Sequence, residues 1–305
     1  MSIFSVTILG CGSATPTLRH FPSAQAVAYG PRIMLVDCGE GAQLQMQRFG
    51  VSFARVRDIF ISHLHGDHFL GLPGLLSTMA LHGVEGTVTV HIFEQGAEVL
   101  AKFMEVFCPE RPFNLEYDIM DPGRPGLLMD EKHFTVSTVA LSHRVPCFGF
   151  VFREKPKLRH IDGEAAKYYG VPHYAMQSLR EGADFVAADG TTIPNARLTR
   201  EPSPSRAYAY CSDTAFEPSL AERLRGVDVI YHEATYGDAD AVKAAARGHS
   251  TARQAAEIAA AAGARELVIG HYSKMVSDPE ELAAQAREIF ANTVAATEGL
   301  RIDMD

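Results

Sequence analysis

The segment HLHGDH, residues 63–68, constrains this chain more than any other feature. It follows a run typical of a β-strand, RDIFIS at 57–62, and opens a helical pattern over 68–80. The four candidate ligands in it are His63, His65, Asp67 and His68. So many ligand-type side chains in six residues can converge on a small volume, and chance is a poor explanation for them. Imidazole and carboxylate without thiolate suit zinc, with manganese or iron as alternatives. The segment therefore predicts a metal site at the end of a strand.

Strands and helices alternate along the chain, which is typical of an α/β fold. Short apolar or alternating runs predict strands at 3–9, 32–37, 57–62, 133–141, 207–212, 227–231 and 266–270. Helical patterns are clearest at 68–80, 218–225, 251–262 and 279–290. In the third of these helices Ser250 is the expected N-cap, and Gly263 follows the last turn. A chain of 305 residues, 47% of them hydrophobic, is long enough to bury a large core without disulfides.

Three further candidate ligands also follow predicted strands: His143, Asp213 and His271. Strand ends that meet at one sheet edge are where open-sheet folds build their sites. With the first segment, they make five histidines and two aspartates, more than the four ligands of one tetrahedral zinc ion. The pattern therefore predicts two metal ions. Asp213, placed between the later histidines, is the expected bridging carboxylate.

The stretch 153–206 departs from the strand–helix rhythm and is rich in proline, glycine and charge. It holds nine Lys and Arg against seven Asp and Glu, whereas the whole chain carries a net charge of -9. The overall charge excludes a chain that is basic throughout, so any contact with nucleic acid must be local. On charge alone, a solvated surface excursion explains this stretch as well as a nucleic-acid clamp does.

Cysteine usage and hydropathy indicate the compartment in which the protein is expected. Five cysteines are odd in number, scattered, and never spaced as CxxC. They do not form a secreted disulfide framework or a cysteine zinc finger, so we expect a cytoplasmic protein. No apolar run approaches the roughly 20 residues of a membrane span, so we expect no membrane partner.

The motifs together resemble the metallo-β-lactamase fold, and in particular its ribonuclease Z branch. HLHGDH with a later His, Asp and His is shared by many hydrolases of that fold, whereas two further motifs point to the branch. These are HEAT at 232–235 and GHST at 248–251. DCGEG at 37–41 and SDT at 212–214 extend the resemblance along nearly the whole chain.

The resemblance implies an α/β, four-layer αββα sandwich over 1–305 with an inserted flexible substrate-binding arm at 153–200. It implies two zinc ions per subunit, or manganese in their place. The first ion's ligands would be His63, His65 and His143, and the second's Asp67, His68 and His271, with Asp213 shared by both. Asp37 would brace the metal loops without binding a metal. The arm keeps its length, but its stretch 168–185 has only Arg180 near its glycine, where a basic segment is expected.

Such a site needs no side-chain nucleophile, because paired metals activate water. The candidate catalytic residues are Asp67 as a proton acceptor, His249 as an acid or phosphate contact, and Glu233 as the carboxylate that orients His249. The resemblance implies a zinc-dependent endoribonuclease that forms a homodimer and acts on precursor tRNA.

 The expected activity is thus the zinc-dependent hydrolysis of one phosphodiester bond at the 3′ end of precursor tRNA, leaving a 3′ hydroxyl.

Two alternatives stay open at this point. The first is a small-molecule hydrolase of the same fold, either a phosphodiesterase or an arylsulfatase-like enzyme. The second is an RNA-binding protein without activity. The complete ligand set argues against the second alternative, and an arm of roughly 50 residues argues against the first, because a small substrate does not need it.

Overall fold

The computed structural model describes residues 3–304 and contains two large β-sheets. The strands in chain order are β1 (Phe4–Gly10), β2 (Ala24–Tyr29), β3 (Arg32–Cys38), β4 (Val56–Phe60), β5 (Gly86–Ile92), β6 (Phe113–Ile119), β7 (Leu127–Asp130), β8 (Phe134–Ala140), β9 (Phe148–Glu154), β10 (His160–Ile161), β11 (Phe185–Val186), β12 (Thr192–Ile193), β13 (Thr199–Arg200), β14 (Ala207–Cys211), β15 (Val229–Glu233), β16 (Glu266–Gly270), β17 (Thr293–Ala295) and β18 (Arg301–Asp303). The seven predicted strands are all present, with ends that differ by at most two residues.

The helices in chain order are α1 (Ala42–Arg48), α2 (Gly66–Phe69), α3 (Leu72–Leu81), α4 (Glu94–Phe107), α5 (Gly163–Tyr168), α6 (Met176–Arg180), α7 (Leu220–Arg223), α8 (Ala241–Arg247), α9 (Ala252–Ala262) and α10 (Pro279–Arg287). The helix predicted over 68–80 is broken into α2 and α3. At the break, a Cβ on Gly71 would lie 2.0 Å from the carbonyl oxygen of Gly39, so the chain needs glycine there for a close backbone approach.

The N-cap of α9 differs from the prediction. Thr251, not Ser250, caps this helix: its side chain accepts from the Gln254 backbone N–H, and the Gln254 side chain bonds back to the Thr251 N–H. Ser250 instead donates its hydroxyl to the carbonyl of Thr214. Gly263 follows the last turn with φ 72°, as predicted.

Each large sheet has seven strands, in the orders β18-β1-β2-β3-β4-β5-β6 and β17-β16-β15-β14-β9-β8-β7. Strands β3 to β6 run parallel in the first sheet, and β14 to β17 run parallel in the second. The Phe60 ring of the first sheet packs 5.3 Å from Phe150 and 5.6 Å from Phe152 of the second. Helices α1, α3 and α4 supply buried side chains to the core of the first sheet, and α9 contacts β15 and β16. This is the four-layer sandwich of the metallo-β-lactamase fold.

The chain forms two compact units, of which the smaller comprises residues 132–134 and 154–206. This unit has a core of its own, built from Leu179, Phe185, Ile193 and Leu198. At its base Glu154 accepts from Arg206, with Nη2 to Oε1 at 2.7 Å. All of the insert predicted at 153–200 except Arg153 falls in this unit, and its assignment as a substrate-binding arm stays a prediction. Among residues 3–304, no helix is both long enough and apolar enough to cross a membrane.

Candidate metal centre

The HLHGDH segment forms the turn between β4 and α2. Residues 61–65 lead out of β4, and α2 places Asp67 and His68 in its first turn. His63, Asp67 and His68 are buried, whereas His65 is half-buried. One short turn therefore presents four donor side chains at the carboxyl end of β4.

The other predicted ligands come from the second sheet. His143 lies three residues beyond the end of β8, Asp213 two residues beyond β14, and His271 directly after β16. Because the carboxyl ends of β4, β14 and β16 meet at one edge of the sandwich, residues remote in sequence are brought together.

Asp213 lies between two groups of histidines, and each of its oxygens faces one group. Its Oδ2 lies 3.7 Å from His63 Nε2 and 3.8 Å from His143 Nε2. Its Oδ1 lies 3.3 Å from His68 Nε2 and 3.1 Å from His271 Nε2. The carboxylate therefore stands where a ligand shared by two ions has to stand.

The remaining two candidates complete the groups. His65 Nδ1 lies 2.9 Å from His63 Nε2, and the donor atoms of His63, His65, His143 and Asp213 all lie within 4.8 Å of one another. In the second group, Asp67 Oδ2 lies 3.5 Å from the Nε2 atoms of the two neighbouring histidines. All seven predicted ligands thus converge in the structure.

The hydrogen bonds of His143 leave a lone pair aimed into the cluster. Its Nδ1 lies 2.8 Å from the carbonyl oxygen of Gly248, so Nδ1–H donates there and Nε2 carries the lone pair. Within residues 3–304 the buried Nε2 has no hydrogen-bond partner, and it faces the carboxylate of Asp213. A buried lone pair that faces an anion is unfavourable without a cation between them. The residues therefore fit a metal ion, and a donor set of nitrogen and oxygen suits zinc or manganese.

The pKa shifts of Asp213 and His63 favour metal binding. Burial alone raises the pKa of a carboxyl group, but the neighbouring histidines outweigh it and hold the pKa of Asp213 well below its usual value. Burial also lowers the pKa of His63 well below its usual value. An ionised carboxylate and a neutral imidazole are the forms that bind a metal.

Asp37 lies at the centre of a buried hydrogen-bond network beneath the cluster. Its carboxylate accepts from the Ser62 backbone N–H at 2.8 Å, from the Ser62 hydroxyl at 2.9 Å and from the Tyr210 hydroxyl at 2.6 Å. Its Oδ2 also lies 2.7 Å from His68 Nδ1. Asp37 thus holds the ring of a candidate ligand from behind without facing the cluster itself.

Replacing Asp37 with alanine is expected to lower the free energy of unfolding by about 3–5 kcal/mol, because it removes the charged acceptor that the buried donors of Ser62, Tyr210 and His68 share. Urea denaturation of the metal-replete protein measures the change. Asp240→Ala, which removes an exposed carboxylate, is the control and is expected to change stability by less than about 0.5 kcal/mol. Equal stability of the two variants would contradict the bracing role.

Backbone strain gathers at the site. Three residues other than glycine have positive φ angles among residues 3–304: Ala14 at 60°, Asp37 at 55° and His271 at 61°. Ala14 lies at the site because its N–H donates to Asp67 Oδ2 at 2.6 Å. Such conformations cost about 1–3 kcal/mol each and cluster where function requires them.

His249 lies beside the cluster, in contact with Glu233. Its Nδ1 lies 2.8 Å from Glu233 Oε1, and Glu233 also accepts from the Thr235 hydroxyl at 2.6 Å. Burial lowers the pKa of a histidine, but the Glu233 carboxylate outweighs it and raises the pKa of His249. The donor atoms of His249, Asp213 and His271 also lie within 4.8 Å of one another, so the geometry alone leaves a ligand role for His249 open.

A cavity of about 240 Å³ opens onto the cluster, and three cations that the sequence reasoning missed line it. They are Arg144, Arg247 and Lys274. Arg144 directly follows His143, and its guanidinium makes no hydrogen bond or ion pair to the residues that the structure describes. An unpaired cation beside a metal cluster attracts an anionic substrate. The one indication of this cation in the sequence is that Arg144 directly follows the predicted ligand His143.

Comparisons with known proteins agree with the fold and the motifs. The model of the beta-lactamase superfamily domain matches residues 170–272, and that of the anti-Pycsar protein Apyc1 matches residues 4–101. Among solved structures, the short form of human tRNase Z has a TM-score of 0.72 at 26% identity, with 99% of each chain covered. A metallo-β-lactamase-fold protein of Bacillus subtilis, with a TM-score of 0.69 at 18% identity over 99% of each chain, supports the fold alone.

Curated relatives match from end to end. Ribonuclease Z of Parabacteroides distasonis and ribonuclease Z of Porphyromonas gingivalis are each 45% identical to this chain over 304 residues, with 100% of both chains covered. The resemblance predicted from the HEAT and GHST motifs is thereby confirmed. The chain belongs to the ribonuclease Z family, on the metallo-β-lactamase fold.

Proposed function

We propose that this protein is a metal-dependent endoribonuclease that hydrolyses a phosphodiester bond at the 3′ end of precursor tRNA. The observation that carries the proposal is the convergence of seven nitrogen and oxygen donors around Asp213, in a chain that matches ribonuclease Z relatives over its full length. A diphosphatase and yeast PDE1 also match the chain over 99% and 100% of its length, but at 18% and 13% identity they support the fold alone. An RNA-binding protein without activity would not need a complete donor set.

We further propose that the site holds two zinc ions, with manganese as a substitute. One ion is assigned to His63, His65 and His143 and the other to Asp67, His68 and His271, with Asp213 shared. When bound, such ions activate water for attack and neutralise charge that builds on the phosphate. The seven donors supply the charge and the geometry that hold them.

His249 is proposed to give a proton to the leaving oxygen of the RNA. Glu233 holds the Nδ1–H of His249, so the opposite ring nitrogen is the one that can reach a substrate. The raised pKa of His249 favours the protonated ring that an acid requires. Asp67 is proposed to accept a hydrogen bond from the attacking water, although its lowered pKa makes it a weak base.

The smaller unit supplies candidate contacts to the body of an RNA. Two of its cations are already paired within the unit: Lys157 Nζ lies 2.8 Å from Glu154, and Arg159 pairs with Glu201. Tyr168 and Tyr174 are more than 80% exposed, at 82% and 85%, and were not predicted from the sequence. Exposed tyrosines contact phosphates through the hydroxyl and bases through the ring.

Excising the arm is expected to lower kcat/KM on precursor tRNA by about 100-fold or more, because binding energy remote from the reacting phosphate is lost. The structure makes a clean excision of 156–204 feasible, since the Ser205 hydroxyl donates to the Lys155 carbonyl at 3.1 Å and a short Gly/Ser bridge can join the ends. Hydrolysis of a small chromogenic phosphodiester serves as the control and is expected to persist. An excised protein that trims precursor tRNA at the parental rate would contradict the role of the arm.

We also propose a homodimer in the cytoplasm. Exposed apolar side chains on α3 and α4 support self-association: Leu81, Val106 and Phe107 are 89%, 68% and 71% exposed. Leu81 and Phe107 line one groove, so these two side chains belong to the same apolar patch. The five cysteines are all free and buried, which suits a reducing compartment.

A further inference from the structure

A second group of ligand-type side chains lies apart from the seven donors around Asp213. It consists of Cys11, directly after β1, His20, ahead of β2, and Glu298, between β17 and β18. Their donor atoms all lie within 4.8 Å of one another. The Cys11 side chain is fully buried, and those of His20 and Glu298 are only 16% and 12% exposed. This group, here called the thiol cluster, therefore offers three different donors in a place that is largely closed to water.

The spacing of the donor atoms is close to that of a tetrahedral zinc site. His20 Nδ1 lies 3.4 Å from Cys11 Sγ and 3.2 Å from Glu298 Oε2. Zinc bonds of about 2.0–2.3 Å place neighbouring ligands of a tetrahedron roughly 3.3–3.6 Å apart. A ring nitrogen carries one hydrogen or one lone pair, so Nδ1 serves one of its two neighbours well. A cation among the three atoms binds all of them.

The backbone brings these side chains together. A Cβ on Gly12 would lie 2.9 Å from the Cβ of His20, so glycine allows the loop after β1 to fold back on itself. The Gly12 N–H donates to the Phe21 carbonyl at 2.8 Å, and the Phe21 N–H donates to Glu298 Oε1, also at 2.8 Å. With Oε1 held in this way, Oε2 is the oxygen that faces the ring, as the outer contacts of a metal ligand require.

The chemistry of the donors suits zinc. Thiolate and imidazole favour zinc over magnesium or calcium, which prefer oxygen donors alone. The metal–sulfur bond forms as the Cys11 thiol releases its proton to solvent. Burial raises the pKa of that thiol well above its usual value, so the proton competes with the metal. The thiol cluster also supplies three donors to one ion, whereas each group around Asp213 supplies four, and we therefore expect it to fill last.

We infer that the thiol cluster is a third metal site, which binds one zinc ion through Cys11 Sγ, His20 Nδ1 and Glu298 Oε2. The ion closes the loop that contains Ala14, whose N–H donates to Asp67 Oδ2 at 2.6 Å. Its role is structural, because it holds in place a loop that contacts a candidate ligand of the active site. The inference does not depend on the substrate of the protein.

Cobalt(II) is the probe that tests this site. A cobalt–thiolate bond gives an intense charge-transfer band in the near ultraviolet, whereas the seven donors around Asp213 contain no sulfur. The starting sample is the full-length protein loaded with two zinc ions per chain. Added cobalt(II) is expected to produce the band until one cobalt ion is bound per chain, and zinc added afterwards is expected to remove it. Cobalt that exchanges into the seven-donor site adds no such band.

Two variants and two matched controls locate the bound cobalt. Cys11→Ser is expected to abolish the band, and His20→Ala, which keeps the thiol, is expected to weaken cobalt binding at least about tenfold. Cys108→Ser removes another buried thiol, at the end of α4, and His82→Ala removes an exposed histidine. Both controls are expected to keep the band and the affinity. The unfolding midpoint verifies that each variant is folded.

A folded wild-type protein without the band would overturn the third site. The cluster would then be free of metal, with His20 paired to Glu298 and the Cys11 thiol donating to the Ala296 carbonyl at 3.5 Å. A band that persists in Cys11→Ser would place the cobalt on another cysteine, and parental affinity in His20→Ala would remove the imidazole from the site. Either result would overturn the assignment, and neither bears on the cleavage of RNA.

Discussion

Replacing Asp213 with alanine is expected to lower the rate of RNA cleavage by at least about 10⁴-fold. Removing one member of a group of catalytic residues that act together causes rate losses of this order. Bound metal is expected to fall below the two ions per chain of the parent. The reason is geometric: Asp213 Oδ2 faces His63 and His143, while Oδ1 faces His68 and His271. Under the proposed assignment, its removal takes one ligand from each ion. Elemental analysis and single-turnover cleavage measure the two effects.

His82→Ala is the control for that variant. His82 is exposed and packs on the Phe53 ring at 5.5 Å, away from the cluster. This control is expected to retain both metal ions and the parental rate. An Asp213→Ala protein that keeps two ions per chain would remove the shared-ligand assignment.

Replacing His249 with alanine is expected to slow the chemical step by about 10²–10⁴-fold, the usual range for a positioned acid or base. Bound metal is expected to stay at the parental level, because the proposed role of His249 is proton transfer and Glu233 already holds its Nδ1. Single-turnover kinetics and elemental analysis separate the two effects.

The metal measurement decides between two roles for His249, since its donor atom also lies within 4.8 Å of those of Asp213 and His271. Loss of a metal ion in His249→Ala would make it a ligand and leave the orienting role of Glu233 without a purpose. Parental metal with parental rate would remove it from the chemistry altogether.

The positions of the seven candidate ligands were predictable because each follows a strand whose apolar run is plain in the sequence. His63, Asp213 and His271 are all of this kind, and parallel strands bring their carboxyl ends to one edge. The sequence also paired His249 with Glu233, which the structure places in contact. The residues that follow predicted strands therefore indicate where a site lies, even when no tertiary contact is known.

Other features depend on tertiary packing and could not be predicted from the sequence. The pattern over 68–80 reads as one helix, but the approach of Gly71 to the carbonyl of Gly39 breaks it. His91, to which no sequence pattern assigns a role, is buried, with its Nδ1 2.8 Å from Asp118 Oδ2. No local sequence pattern predicts either contact, because the partner residues lie on other strands and loops.

The cationic lining of the active-site cavity was missed for the same reason. Arg144 and Lys274 come from loops more than a hundred residues apart in sequence. The net charge of the chain is negative, so it gives no indication of a local cluster of cations. The charge around a site depends on which residues the fold brings together.

The most direct test of the account is to map the products when metal-replete protein is incubated with a 3′-extended precursor tRNA, beside a cyclic nucleotide and an aryl sulfate. We expect one cut at the 3′ end of the tRNA, a 3′ hydroxyl on the tRNA fragment, and no comparable turnover of the small substrates. Intact precursor tRNA together with rapid hydrolysis of a small substrate would contradict the account.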